Sequence, residues 1–180
     1  MKTFLKTLPL LALILFFIAA VGHAQSATGT STVTVIVGAE ASLTVSSPTA
    51  LTAVGAVFNN FTGTTTVTYF VRTTQSTGSG SITLKVTSDF SPANGPSVAT
   101  PPTTGDALKY TCTAAAPATA CTGSQTALTT GTTPVVTFGA DAHSAATAGS
   151  TATTSWTLTN DPVYKTGSYA ATVTYTISAS

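Results

Sequence analysis

The sequence has very few charged residues, and this scarcity excludes several classes of partner. Lysine and arginine number six and the acids five, so charged residues make up only 6% of the 180 residues. No basic cluster is available to neutralise phosphates, which argues against a nucleic-acid partner and against an anionic membrane surface. Hydrophobic residues, in contrast, reach 43%. Because disordered chains combine low hydrophobicity with high net charge, we expect a folded domain.

Side chains for acid–base catalysis and metal binding are scarce as well. The stretch 141–144, Asp-Ala-His-Ser, contains the residue types of a hydrolytic triad, but triads assemble from separate elements, so adjacency is no argument for one. The acids are scattered without the spacing of a calcium loop, and no nucleophile elbow or phosphate loop occurs. We therefore expect no enzyme activity, no cofactor and no metal site. A hydrolase that uses His143 is a distant third hypothesis.

Residues 1–24 have the layout of a cleaved secretion signal. Lys2 and Lys6 precede an apolar run from Leu8 to Val21, and small residues precede a cut before Gln25. The run is shorter than the roughly 20 residues that a membrane span needs, although an uncleaved anchor is the alternative. We expect a secreted or surface-located protein, with passage through the periplasm if its host is Gram-negative. The mature chain, 25–180, has a length that suits one domain.

Cysteine is almost absent, with only Cys112 and Cys121, nine positions apart. In an exported chain such a pair is most simply a disulfide, and the alternative is two free thiols. Two thiols without a nearby histidine are too few ligands for a metal site. We therefore predict that Cys112 and Cys121 form a disulfide, which closes a tight loop with a structural role or as a rigid tip for contact.

The sequence is rich in a two-residue apolar rhythm, in which threonine alternates with valine, isoleucine, leucine or tyrosine. Threonine is β-branched and suits the exposed face of a strand, so the rhythm predicts strands with one wet and one buried face. A Gly-rich link between the third and fourth of these strands predicts that they form a hairpin. The predicted strands cover residues 30–37, 41–46, 64–73, 81–90, 107–113, 134–138, 152–159 and 169–178.

Short amphipathic strands separated by frequent turns are typical of two sheets packed face to face. We predict that residues 25–180 form one all-β, immunoglobulin-like antiparallel sandwich of about seven to nine strands. Trp156 and Tyr110 are the largest side chains expected in its core. A closed barrel is the competing architecture.

Aromatic residues could form a sugar-binding platform, although most of them fall at positions that we assign to the core. Phe70 alternates with Tyr69, so it would be exposed if its strand has one wet face and buried if its strand is central with both faces covered. Asn60 begins a glycosylation-type triplet, which is a weak signal by itself. The platform candidates are Tyr69, Phe70, Tyr164 and Tyr169.

Three stretches together resemble a known group of proteins. "TSTVTVIVGAEASLTVSS", "LKYTC" and "KTGSYAATVTYTIS" are similar to bacterial spore-coat-U-type and related pilin-like secreted domains. In those families a G-x-Y turn opens the last strand, which Gly167 and Tyr169 match. The usual early cysteine is absent, with Leu43 near its place, and so is the penultimate aromatic residue, here Ala179. "WTL" at 156–158 resembles, more weakly, the WxL cell-surface domains.

The resemblance implies a pilin-like sandwich and a non-catalytic structural or adhesive protein of the bacterial surface or extracellular matrix, such as a pilus-like subunit. In pilins, the N-terminal extension of one subunit supplies a missing strand to its neighbour. Residues 25–38 would be this donor strand, the last strand would border the groove that receives it, and the partners would be copies of the protein or other surface proteins. Alternatively, residues 30–37 are the first strand of a self-complete sandwich. A second function is a secreted monomeric module that binds carbohydrates or surfaces, with glycans as partners.

Overall fold

The computed structural model describes residues 27–46 and 49–180, so the predicted secretion signal lies outside the described residues. The chain divides into two units, Met1–Ile36 and Val37–Ser180, and every strand found in the described residues belongs to the second. The described residues contain no helix that could cross a membrane. The strands are β1 (Glu40–Val45), β2 (Phe61–Arg72), β3 (Gly80–Ser91), β4 (Lys109–Ala114), β5 (Thr119–Ala120), β6 (Gln125–Thr126), β7 (Thr133–Phe138), β8 (Ser150–Leu158) and β9 (Ala170–Ala179).

These strands form two separate antiparallel sheets, which confirms the predicted all-β sandwich. The first sheet has the order β1-β2-β8-β4-β6, and the second has the order β5-β7-β3-β9. All strand pairs are antiparallel, and no pairing joins the two sheets into a closed one in the part of the chain that the structure describes. The core lies between the sheets.

The two-residue rhythm puts the apolar side chains inside, as predicted. Val67 and Tyr69 on β2 are completely buried, and so are Ile82 and Leu84 on β3. Each is followed by an outward-facing residue that is only partly buried or exposed, most often threonine. Burial of each aliphatic side chain contributes about 1.5–3 kcal/mol to stability, so the apolar rhythm drives the packing of the two sheets.

The predicted hairpin between β2 and β3 is wrong, because the two strands lie in different sheets. β2 pairs with β1 and β8, whereas β3 pairs with β7 and β9. The link of residues 73–79 is longer than a tight hairpin turn, and it can cross the gap of about 10 Å between packed sheets. Hydrogen bonds to both neighbouring segments hold it, among them those from the Thr73 N–H to the Ala142 carbonyl and from the Thr74 N–H to the Ser180 carbonyl.

Hydrogen bonds of buried tyrosines join the two layers. The Tyr175 hydroxyl on β9 lies 2.7 Å from Thr154 Oγ1 on β8, in the opposite sheet. The Tyr110 hydroxyl on β4 lies 2.8 Å from the carbonyl oxygen of Pro134 on β7. The ring of Tyr110 packs 5.2 Å from that of Trp156, so both predicted large core residues are in the core. Burial raises the pKa of both tyrosines, which keeps the hydroxyls neutral.

The Tyr175→Phe variant should lower the free energy of unfolding by about 1–2 kcal/mol, because Thr154 loses its partner across the layers. Chemical denaturation followed by tryptophan fluorescence measures this change. Tyr169→Phe is the matched control, since that hydroxyl bonds at the surface, and its effect should stay within about 0.5 kcal/mol. Equal losses in the two variants would contradict a specific role for the bond between the layers.

Candidate functional site

The last strand, β9, forms an outer edge of the second sheet. It pairs with β3 in a constant register from Gly80↔Ala179 to Val86↔Val173, and no strand among the described residues pairs with its other side. Tyr175 is buried, whereas its inward-facing neighbours Val173 and Ile177 are only partly buried. The edge strand therefore keeps apolar surface that a further strand could cover.

The backbone of β9 also has hydrogen-bonding groups that face away from β3. The Ser180 N–H donates to the Ser79 carbonyl oxygen at 2.8 Å, so this residue faces β3. Because backbone groups alternate in direction along a strand, the other even-numbered residues face β3 too. The N–H and C=O groups of the odd-numbered residues from Val173 to Ala179 then point to the free edge. Such a row is a template for an added strand.

Partly buried apolar side chains of the first sheet continue this surface. β1 is the outer strand of the first sheet, and it approaches β9 across the layers. Its inward-facing residues Ala41, Leu43 and Val45 pack against the core but stay partly exposed, unlike those of the central strands. We call this flank, made of β9 and the inward face of β1, the open flank.

Residues 27–39 form no strand, so the prediction for 30–37 is wrong within this chain. The side chains of Val33, Val35 and Ile36 are 85%, 76% and 93% exposed. Apolar alternation makes a segment suitable for a sheet, but a strand also needs a neighbouring edge that supplies its hydrogen bonds. The first strand of the sandwich is β1, so the alternative of a self-complete sandwich that begins at residue 30 is not what the structure has.

Two loops fix the position where β9 begins. The Lys165 N–H donates to the Asn94 carbonyl oxygen at 3.0 Å, and the Tyr169 hydroxyl donates to the Lys165 carbonyl oxygen at 2.6 Å. A Cβ at Gly95 would overlap the ring of Tyr169, so position 95 must be glycine for the ring to pack there. The G-x-Y turn, with Gly167 and Tyr169, thus packs on the 92–108 loop.

A nearly buried carboxylate joins the same two loops. Asp106 is 3% exposed, and its Oδ2 accepts a hydrogen bond from the Tyr164 hydroxyl at 3.0 Å. Burial first, and then the adjacent Asp106 carboxylate, raise the pKa of Tyr164, so the phenol remains a donor. This bond holds the 159–169 loop against the 92–108 loop.

The carboxylate of Asp89 organises the first half of the 92–108 loop. It accepts hydrogen bonds from the N–H groups of Phe90, Val98 and Ala99 and from the Ser97 hydroxyl, at 2.7–3.1 Å. Burial acts to raise the pKa of this carboxyl, but the four hydrogen bonds together outweigh it, and the pKa is lower than usual. Asp89 therefore acts as a structural anchor of the loop.

The residues of the triad-like stretch do not form a nucleophile–base pair. His143 and Asp141 are exposed, with 3.7 Å between Nε2 and Oδ1. The Ser144 hydroxyl oxygen accepts a hydrogen bond from the Val71 N–H at 3.0 Å, a structural contact that fastens the loop to β2. A crevice of about 390 Å³ beside His143 is lined partly by Arg72, which pairs with Glu40 at 3.0 Å. In the described part of the chain no three His, Cys, Asp or Glu residues cluster as metal ligands.

The aromatic platform candidates do not line one surface. Tyr69 is completely buried, while Phe70 is 41% exposed on the outer face of the first sheet. Tyr164 and Tyr169 follow Leu158, the last residue of β8. Leu158 pairs with Phe61, the first residue of β2, whereas Phe70 lies near the other end of β2. Asn60 of the glycosylation-type triplet is exposed just before β2.

Cys112 and Cys121 form a disulfide in the structure. It connects Cys112 within β4 to the residue that follows β5, and so it links the first sheet to the end of a strand of the second. The resemblance implied that the last strand borders a groove, but the residues themselves did not reveal the open flank, because only strand pairing shows which strand lies at an edge. The absence of charged residues and proline from β9 was the one local signal for it.

Replacing both cysteines with alanine should lower the free energy of unfolding by up to about 2.5–3 kcal/mol, since the closed loop no longer restricts the unfolded chain. Denaturation of the wild type under oxidising and reducing conditions measures the same change. The free energy of unfolding of the double variant should not change with reductant. If reductant lowered it equally in the wild type and in the double variant, the stabilisation would not come from the disulfide.

The Asp89→Asn variant should be less stable than the wild type at pH 7. A carboxyl whose pKa is lowered by folding stabilises the folded state above its unfolded pKa of about 4, and this contribution is lost as the pH falls through the folded value. The difference in melting temperature should therefore shrink below about pH 4. Glu40→Gln, at an exposed ion pair, is the control. A pH-independent difference for Asp89→Asn would contradict the anchoring by charge.

No family model matches the chain, and the comparisons with curated proteins and with solved structures found no significant match.

Proposed function

We propose that this protein is an exported, non-catalytic structural or adhesive component of the bacterial surface or extracellular matrix, whose copies join by strand addition. In this assembly, residues 30–37 of one copy lie along β9 of the next. The observation that carries the proposal is a pair of complementary features in one chain. One is an exposed, alternating apolar segment without a strand partner, and the other is the open flank with an unpaired strand edge.

The side chains of the segment suit this place. Val33, Val35 and Val37 are spaced two residues apart, so in a strand they point to the same side. Beside β9 they would cover the partly exposed Val173 and Ile177, while Thr32 and Thr34 would continue the hydroxyl surface on the other side and Ile36 would lie at its end. Register is well specified, because a shift by one residue would turn the valines to solvent.

The backbone supplies the other half of the affinity. The outward-facing N–H and C=O groups of the odd-numbered residues of β9 would form a ladder with the added strand, which is how strand addition binds in general. Neither the segment from Gly29 to Gly38 nor β9 contains a charged residue or a proline. Nothing in either strand therefore opposes pairing by repulsion or by loss of an N–H donor.

Amide hydrogen exchange tests the arrangement residue by residue. In the separate subunit, even-numbered amides of β9 should be protected by β3, while those of Val173, Tyr175 and Ile177 should exchange fast. Assembly, or addition of a peptide with the sequence of residues 30–37, should slow the odd-numbered amides selectively, because only they face the added strand. Protection without this parity, or none at all, would exclude addition along β9.

A matched pair of variants tests the segment itself. Val35→Asp places a charge on the inward face and should abolish higher assemblies in light scattering, since a buried unpaired carboxylate is costly. Thr34→Asp adds the same charge one residue away on the outward face and should still assemble. If both variants keep the oligomeric state of the wild type, strand addition by this segment is wrong.

A further inference from the structure

The outer face of the first sheet has a regular array of threonines. In β2, β8 and β4 the strand registers place outward-facing residues side by side in rows, such as Thr64–Ser155–Thr111 and Thr66–Thr153–Thr113. We call these ten side chains, nine threonines and one serine, the threonine face: Thr62, Thr64, Thr66, Thr68, Thr111, Thr113, Thr151, Thr153, Ser155 and Thr157.

The array is a lattice with two defined repeats. Neighbouring strands lie about 4.8 Å apart, and outward-facing residues follow each other at about 6.8 Å along a strand. Threonine is restricted at χ1, so each of the nine threonine positions holds a hydroxyl and a methyl group in a restricted orientation, and Ser155 supplies a hydroxyl alone. Strand twist of about 20° per step bends the lattice, which confines the regular part to these three strands.

The hydroxyls of the threonine face are free for a ligand. None of them makes a hydrogen bond to another group of the described chain, unlike the outer face of the second sheet. There, Thr87 and Thr174 pair at 2.9 Å, and Ser81 and Ser178 at 3.4 Å. The threonine face also contains no charged residue, and Lys109 and Phe70 lie only at its ends.

We propose that the threonine face binds the surface of ice. A neutral, rigid lattice of hydroxyl and methyl groups can hold waters at repeats close to those of an ice face, and the ordering cost is small because the side chains are already fixed. A charged side chain within the face would keep its own hydration shell and break such a layer. A dry contact with a second copy would instead desolvate every hydroxyl that finds no partner.

The proposal is independent of strand addition, because the threonine face belongs to the first sheet and the free edge of β9 to the second. The test uses the full-length protein, purified after any processing that its host carries out. The wild type should partition into a slowly growing ice hemisphere and change the shape of ice crystals. It should also produce thermal hysteresis, a gap between the melting and the freezing temperature of ice in its solution. Exclusion of the wild type from ice, with no such gap, would overturn the proposal.

Two lysine variants locate the binding surface. Thr153→Lys, in the middle of the threonine face, should lose most of the partitioning and of the freezing gap. Thr83→Lys is the matched control, because Thr83 is also partly buried on a central strand but faces outward from the second sheet. Melting temperatures establish that both are folded. Equal loss in both variants, or full activity of Thr153→Lys, would assign ice binding to another surface. Thr111→Lys, on the neighbouring strand, gives a second independent measurement if Thr153→Lys does not fold.

Discussion

The structure depends on the hydrogen bonds that two buried tyrosines make across the layers. A buried hydroxyl without a partner costs about 1–3 kcal/mol, so Tyr175 and Tyr110 can be inside only where the opposite sheet supplies an acceptor. The carbonyl oxygen of Pro134 accepts from Tyr110, and the hydroxyl of Thr154 pairs with that of Tyr175. A slip of one residue in β9 or β4 would turn the tyrosine outward and break the bond. Packing between the layers therefore also fixes the register within each sheet.

Threonine serves two opposite purposes around these bonds. Inside the sandwich, Thr65 accepts a hydrogen bond from the indole N–H of Trp156 at 2.8 Å, and Thr154 meets Tyr175. Outside, threonines replace the charged residues that usually coat a strand, because they are β-branched and polar at once. A chain with 6% charged residues can thus have satisfied polar groups in its core and a wetted surface. The surface is neutral because threonine is used in place of charged residues.

The sequence predicts where strands occur far better than it predicts which strands pair with each other. The two-residue rhythm is local, so seven of the eight predicted strands have counterparts in the structure, from 41–46 to 169–178. The two-residue strands β5 and β6 are too short to show any rhythm. The wrong hairpin and the wrong strand at 30–37 have one cause: pairing depends on which edges meet in space, and no local pattern records that. The residues alone did not reveal the open flank for the same reason, and only the resemblance placed the last strand beside a groove. Cys112 and Cys121, in contrast, are the only two cysteines of the chain, so their pairing was predicted directly.

The edges of the two sheets differ in how they are protected against pairing. β6 and β5 are only two residues long, and β1 begins with Glu40 in an ion pair with Arg72. Short strands and charges are common ways to block an edge. β9 has ten residues, no charge and no proline, and its register with β3 is regular from Val173 to Ala179. An unprotected edge of this length is a hazard in a protein that stays single, because it can pair with any extended chain. Such an edge becomes useful when the same chain provides a segment with the matching alternation, because a second copy of the protein can then pair with it.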